Sequence, residues 1–201
     1  MQAGQVAARL TPEQWSAYWQ HSTITSFHGH FQHNYDGAIK QFWDGIFEKL
    51  PAKARILDLA TGNGALAILA QQYSLEHDRG FRVTGIDSAE IKPAEYLANQ
   101  PGLAESLGLI HFISHTAIEE TGLPTADYQL VMSQFGFEYA PVNPACREVN
   151  RLLAPGRGVF AAMLHYAGSA VLQQAREALR QINHCNNSGL LEIAAQLVGL
   201  Q

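Results

Sequence analysis

The stretch Arg55–Gly64, reading Arg-Ile-Leu-Asp-Leu-Ala-Thr-Gly-Asn-Gly, constrains this chain more than any other. Ile56, Leu57 and Leu59 make the short apolar run that a strand buried on both faces of a parallel sheet requires. Asp58 stands near its end. Gly62 and Gly64 let the backbone turn sharply where a side chain would block a ligand. Ala65–Tyr73 follows at once, rich in Ala and Leu, and the spacing predicts a helix. Strand, glycine turn and helix N-terminus together form a ligand cradle at the carboxyl edge of a sheet.

Gly62-Asn63-Gly64-Ala65-Leu66-Ala67 satisfies the loose G-x-G-x-x-G/A dinucleotide pattern. In that pattern the first glycine follows the strand almost directly, and a diphosphate approaches bare backbone. Here Asp58 precedes Gly62 by four residues, and its carboxylate would repel a diphosphate. A ligand with an ammonium and no phosphate suits an acid better. The stretch resembles motif I of the class I S-adenosylmethionine-dependent methyltransferases, usually Asp-x-Gly-x-Gly-x-Gly, with Ala60 in place of the first glycine. The resemblance implies S-adenosylmethionine as cofactor, with Asp58, Ala60, Thr61, Gly62, Asn63 and Gly64 around it. An NAD-dependent oxidoreductase and a noncatalytic cofactor-binding or partner subunit are the alternatives.

The other motifs come in the order that family implies. Phe81–Asp87 reads as a strand ending in an acid whose two oxygens match the vicinal hydroxyls of a ribose. Asp87 and Ser88 are therefore expected at the cofactor, although Asp87 as cap of a helix over Ser88–Ala98 is the other reading. Leu109–Ser114 reads as a third strand. The turn after it, where the family often presents an acid to adenine, has Thr116, Ala117 and Ile118 instead. Asp127–Tyr139 resembles the fourth strand and its loop, so Ser133, Gln134 and Phe135 are expected beside the sulfonium, where aromatic faces suit a cation. Pro144–Leu153 reads as a helix, the Leu153-Ala154-Pro155-Gly156 turn recurs in the family, and Gly158–Leu164 reads as a fifth strand. His165 emerges at its carboxyl end and is the first candidate for a general base.

Alternating strands and helices from Arg55 to Leu164 imply an α/β, Rossmann-like, doubly wound parallel sheet with helices on both faces. The expected division is an N-terminal helical or lid segment over 1–50, a cofactor-binding core over 51–166, and C-terminal helices over 167–201. Thr11 caps a helix with Pro12 at its first position and Gln14 near the box position; Trp15, Tyr18 and Trp19 share one face of it. The polar and aromatic run over 21–35 suggests that residues 15–35 cover the pocket. His28, Tyr35, Phe137 and Tyr139 are expected at the substrate, with His28, His30, Tyr35 and Tyr139 as alternative bases. His28, His30 and His33 match no zinc spacing and have no Cys or acid cluster beside them, so no metal site is expected. Ala38–Leu50 carries an amphipathic stripe and ends at Pro51.

Composition narrows the acceptor. The 201 residues carry a formal net charge of −5 and no run of Lys or Arg, which disfavours a nucleic-acid substrate. The loop after strand four lacks the Asn/Asp-Pro-Pro-aromatic sequence of enzymes that methylate planar amino nitrogens. Cys146 follows Ala145 and not the proline that cytosine C5 enzymes place before their nucleophile. The resemblance thus implies transfer to oxygen, carbon or nitrogen of a small molecule, as in broad-range enzymes of the ubiquinone/menaquinone-biosynthesis type. No signal core and no membrane span of ~20 apolar residues is evident, so the expected compartment is the cytoplasm. Ser169–Asn183 and Ser188–Leu200 read as helices. The family's C-terminal strand hairpin is therefore expected to be lacking, as in a fragment or natural truncation. The bared edge of strand five would then favour a homodimer.

Overall fold

The computed structural model describes residues 10–21, 23–26, 34–166 and 168–189, with 193 and 196. Residues 1–164 make one compact unit and 165–201 a second. In the first unit β1 (Arg55–Leu59), β2 (Arg82–Ile86), β3 (His111–Ile113), β4 (Leu130–Gln134) and β5 (Val159–Met163) form a single sheet in the order β3-β2-β1-β4-β5. Every pairing is parallel. From β1 the chain winds outward through β2 and β3, then returns to place β4 on the other side. The crevice between the carboxyl ends of β1 and β4 is the topological switch point, where open sheets of this kind bind ligands.

Side-chain alternation along the strands explains the two layers. Ile56, Leu130 and Met132 point into a core with Trp43 and Phe47 of α2 (Gly37–Phe47) and Leu66, Ile68 and Leu69 of α3 (Ala65–Glu76). Leu57, Leu59 and Val131 point into the opposite core with Val149 and Leu152 of α6 (Val142–Leu152). A strand covered on both faces cannot show polar alternation, which is why β1 and β4 read as almost unbroken apolar runs. Each fully buried aliphatic side chain here stabilises the fold by about 1.5–3 kcal/mol.

The elements depart from the sequence reading mainly at their ends. The helix expected over Ser88–Ala98 shortens to α4 (Pro93–Tyr96), because Pro93 sets the first helical position and Asp87 has already turned the chain by binding the Ala89 N–H. The third strand is only His111–Ile113; Leu109 closes α5 (Ala104–Leu109) instead. Helix α1 (Pro12–Trp19) begins as read, with Thr11 and Gln14 forming a reciprocal capping box. In the second unit α7 runs Ala170–Asn187, past the expected end at Asn183. Among the described residues no strand follows β5.

The loop before β4 is held by charge. Arg151 Nε and Nη2 donate to the two oxygens of Glu148 at 2.8 and 2.6 Å, and Glu148 Oε1 also accepts from the Thr121 N–H and hydroxyl. Arg151 Nη1 reaches the Leu123 carbonyl and the Thr125 hydroxyl. The Arg151 guanidinium, with Thr121, holds the Glu148 carboxyl down to about 2. A depressed folded pKa contributes stability above the unfolded value and loses it as pH falls through the folded one. Glu148→Ala should therefore cost about 1–3 kcal/mol at pH 7, with the gap narrowing between about pH 4.3 and 2, as denaturant unfolding at both ends would show.

Candidate functional site

The glycine turn is built from below by Asp58. Its carboxylate is 1% exposed, and Oδ2 accepts from the Thr61 hydroxyl at 2.5 Å and the Ala67 N–H at 3.2 Å. The acid thus ties the end of β1 to the first turn of α3 beneath the loop. The sequence reading put Asp58 toward a ligand ammonium; its recorded bonds go to the loop itself, because burial makes backbone and hydroxyl donors its nearest solvent substitute. Burial pushes its carboxyl up to about 7, against the opposing pull of Thr61 and Ala67. Gly62 and Gly64 hold φ of +54° and +86°, and Gly64 leads directly into α3.

Asp87 closes the turn from the β2 side. Oδ2 accepts the Gly62 N–H at 2.8 Å and Oδ1 the Ala89 N–H at 2.9 Å. These bonds turn its own chain and set it against the glycine loop; it does not cap a helix at Ser88, since α4 begins only at Pro93 with Lys92 as its N-cap. Burial raises its pKa, while the Ala89, Gly62 and Ser88 amides oppose that. Ser88 is half-buried beside it. A carboxylate offers about four acceptor sites, so with three amides nearby Asp87 keeps capacity for a further donor.

Across the crevice, Ser133 donates to the Leu59 carbonyl at 2.8 Å and joins the ends of β4 and β1. Gln134 Oε1 accepts from Trp43 Nε1 at 2.5 Å. Phe135 has φ of +57° and Ala60 of +53°, left-handed values that cost a residue with a side chain about 1–2 kcal/mol. Ala60 is pressed there by Gly136, on which a Cβ would lie 2.5 Å from the Ala60 Cβ. Tyr35 is buried with its ring 6.5 Å from that of Phe135, and burial, opposed by the Gln134 amide, pushes its hydroxyl up to about 12.

The remaining expected residues scatter. Thr116 joins the site indirectly, its N–H donating to the Asp87 carbonyl at 2.8 Å. Ala117 is half-buried, but Ile118 packs into the second core with Ile86, and so does Phe137, whose ring lies 4.9 Å from Phe160. Tyr139 is 43% exposed. His165 belongs to the second unit. His28, His30 and His33 lie outside the described residues.

The residue that sequence reasoning underrated is Trp19. A Cβ built on Gly62 would stand 2.3, 2.6 and 2.7 Å from three atoms of its indole, so the ring lies directly on the glycine backbone. Asn63 Nδ2 donates to the Trp19 and Thr23 carbonyls, both at 2.8 Å, while Asn63 Oδ1 is buried without a hydrogen-bond donor. The aromatic face of α1 was legible at helical spacing, but its landing place was not.

No protein-family model and no curated protein matches the sequence. Solved structures do match. One is assigned as an S-adenosyl-L-methionine-dependent methyltransferase from Methanococcus maripaludis, at 15% identity over 98% of this chain and 84% of that one, TM-score 0.57. Another is the [4+2]-cyclase SpnF, at 19% identity over 84% and 67%, TM-score 0.55. A third is geranyl diphosphate C-methyltransferase from Streptomyces coelicolor A3(2), at 14% identity over 77% and 65%, TM-score 0.54. This chain spans about half the length of several of the structures it matches.

Two outcomes follow from the loop's construction. Asp58 keeps its proton to about pH 7 in the folded state and only to about 3.9 in the unfolded one, so its share of stability falls as pH rises across that window. Asp58→Asn should flatten the decline between pH 4 and 7 in denaturant titrations. Gly62→Ala should displace the indole and cost about 1–3 kcal/mol from overpacking, read as a lower melting temperature with red-shifted tryptophan emission.

Proposed function

We propose that this chain, which has the fold of the class I S-adenosylmethionine-dependent methyltransferases, binds S-adenosylmethionine and transfers its methyl group to a small-molecule acceptor. The observation that carries the reading is the Asp87–Gly62 contact of 2.8 Å beside the switch point. It brings a carboxylate with spare acceptor capacity to a glycine turn fronting a helix N-terminus, and no phosphate-binding cation stands in that turn. The fold by itself leaves the reaction open, since a cyclase shares it.

The donor set fits the cofactor. Asp87 suits the ribose hydroxyls, Gly62 to Gly64 admit a close-lying chain, and the buried acceptor Asn63 Oδ1 suits an ammonium. When bound, the cofactor supplies an electrophilic methyl on a sulfonium. The protein's part is to align an acceptor in line with it and exclude water. Phe135, half-buried at the end of β4, offers an aromatic face for the cationic centre. Tyr35, held near 12, stays protonated at neutral pH and serves as a hydrogen-bond donor, not as a base. Tyr139 is the residue we assign to the acceptor side. Small-molecule acceptors in the matched structures include geranyl diphosphate.

Assembly belongs to the same reading. β5 forms one edge of the sheet, with Val159 and Phe160 exposed at 47% and 36%. Such an edge favours pairing with a second copy, so we propose a homodimer, which sedimentation velocity would show and a monodisperse monomer would refute. No helix among the described residues is long and apolar enough to cross a membrane.

Calorimetric titration tests the cofactor reading. S-adenosylhomocysteine should bind and NAD should not. Asp87→Ala should weaken the former by about 1.5–3 kcal/mol, the worth of hydrogen bonds to a charged group. Unchanged affinity in a variant with native circular dichroism would refute the ribose role.

A further inference from the structure

We propose that α1 is a built-in plug: the Trp19 indole occupies the face of the glycine turn that a cradled cofactor must take, so the cofactor binds only after α1 withdraws. The inference rests on the cofactor reading above and adds a conformational gate to it. A residue that merely walled the cofactor would stand a ligand's thickness away from the turn. Trp19 does not, since the position of a single Cβ on Gly62 is already within 2.3 Å of its ring.

The plug spans the crevice. On the β2 side the Glu90 N–H donates to Ser16 Oγ at 2.8 Å, and Trp19 packs on Ala89 and Ile91. On the β4 side the Trp15 ring meets that of Tyr139 edge-on at 5.6 Å. Trp15 and Trp19 stack at 6.2 Å, so one helix face bridges both walls. In the middle, Asn63 holds the Trp19 carbonyl, the residue whose other amide atom remains without a partner.

The attachment is also of a kind that can release. Trp19, Ala89 and Ile91 form a small cluster separate from the two cores that build the sheet. At eight residues α1 is shorter than the roughly 12–15 that stand alone in water, so once detached it has little reason to stay helical. Trp19 is 8% exposed in the closed form and would meet solvent or cofactor in the open one. A closed majority lowers apparent affinity by the fraction of open molecules.

The experiment titrates S-adenosylhomocysteine into the full chain, Trp19→Ala and Ser16→Ala, by calorimetry and stopped-flow tryptophan fluorescence. Trp19→Ala should bind at least about tenfold tighter than the unsubstituted protein. Observed rates should level off with ligand concentration in the unsubstituted protein and rise linearly in Trp19→Ala. Ser16→Ala, which loosens α1 without removing an aromatic ring, should tighten binding in the same direction by a smaller factor; it decides the matter if Trp19→Ala does not fold. Binding seen only in the variants also supports the plug. Equal or weaker binding in folded variants overturns it and leaves the cofactor reading intact. No binding by any of the three proteins overturns the cofactor reading and the plug with it.

Discussion

A buried carboxylate beneath a loop is the constraint on which the rest of this structure hangs. Asp58 leaves water almost completely, and an unpaired charge there would be prohibitive. It is tolerated because the Thr61 hydroxyl and the Ala67 N–H converge on one of its oxygens. Those two donors sit on either side of the glycine turn. Satisfying the acid therefore fixes where the turn goes, and with it where α3 starts. Asp87 repeats the device from the neighbouring strand, taking the Gly62 and Ala89 amides. Two acids facing inward thus shape a loop whose outward face is backbone.

Six described non-glycine residues hold left-handed angles: Lys53, Asp78 and Ala126 in turns before the strands, and three at the strands' carboxyl ends. Ala60, Phe135 and His115 all carry positive φ, at +53°, +57° and +54°, and all follow strand ends on the ligand edge. Residues with side chains hold such angles only where packing overdetermines them, and they concentrate where chain direction serves a site. At Ala60 the overdetermining contact is visible: Gly136 abuts its Cβ from the β4 loop. The opposite edge of the sheet carries Lys49, Lys53 and Arg157 around a cavity of about 520 Å³. Those cations lie at the amino end of the strands, away from the switch point, and chemistry there has no support from the sheet's geometry.

The same logic separates scaffold from site among the aromatic residues. Phe137 looked like a pocket residue because it follows β4 closely, yet it is buried in the second core, with the exposed Phe160 ring 4.9 Å away. Tyr35, far away in sequence, is carried by the segment before α2 to the side of Phe135. Aromatic side chains bury large areas wherever room exists, so type and proximity in sequence do not assign them to a ligand.

The sequence by itself determined the parallel α/β sheet, the glycine turn and the acid after β2. Each rests on local physics: apolar runs too short for helices, glycines where φ must be positive, and a carboxylate two residues before the amide it caps. Strand and helix ends were less legible, as at α4, because Pro93 and the Asp87 turn compete there with helix propensity. What only the tertiary structure decided is where side chains from distant segments land. That Asp58 turns under the loop, that Ser133 ties β4 to β1, and that Trp19 lies on Gly62 depend on contacts spanning from 3 to 74 residues of chain. Periodicity shows which face of a helix is apolar. It cannot show which surface that face will cover, because that is settled by shape and by the hydrogen bonds the backbone of another segment has left to offer.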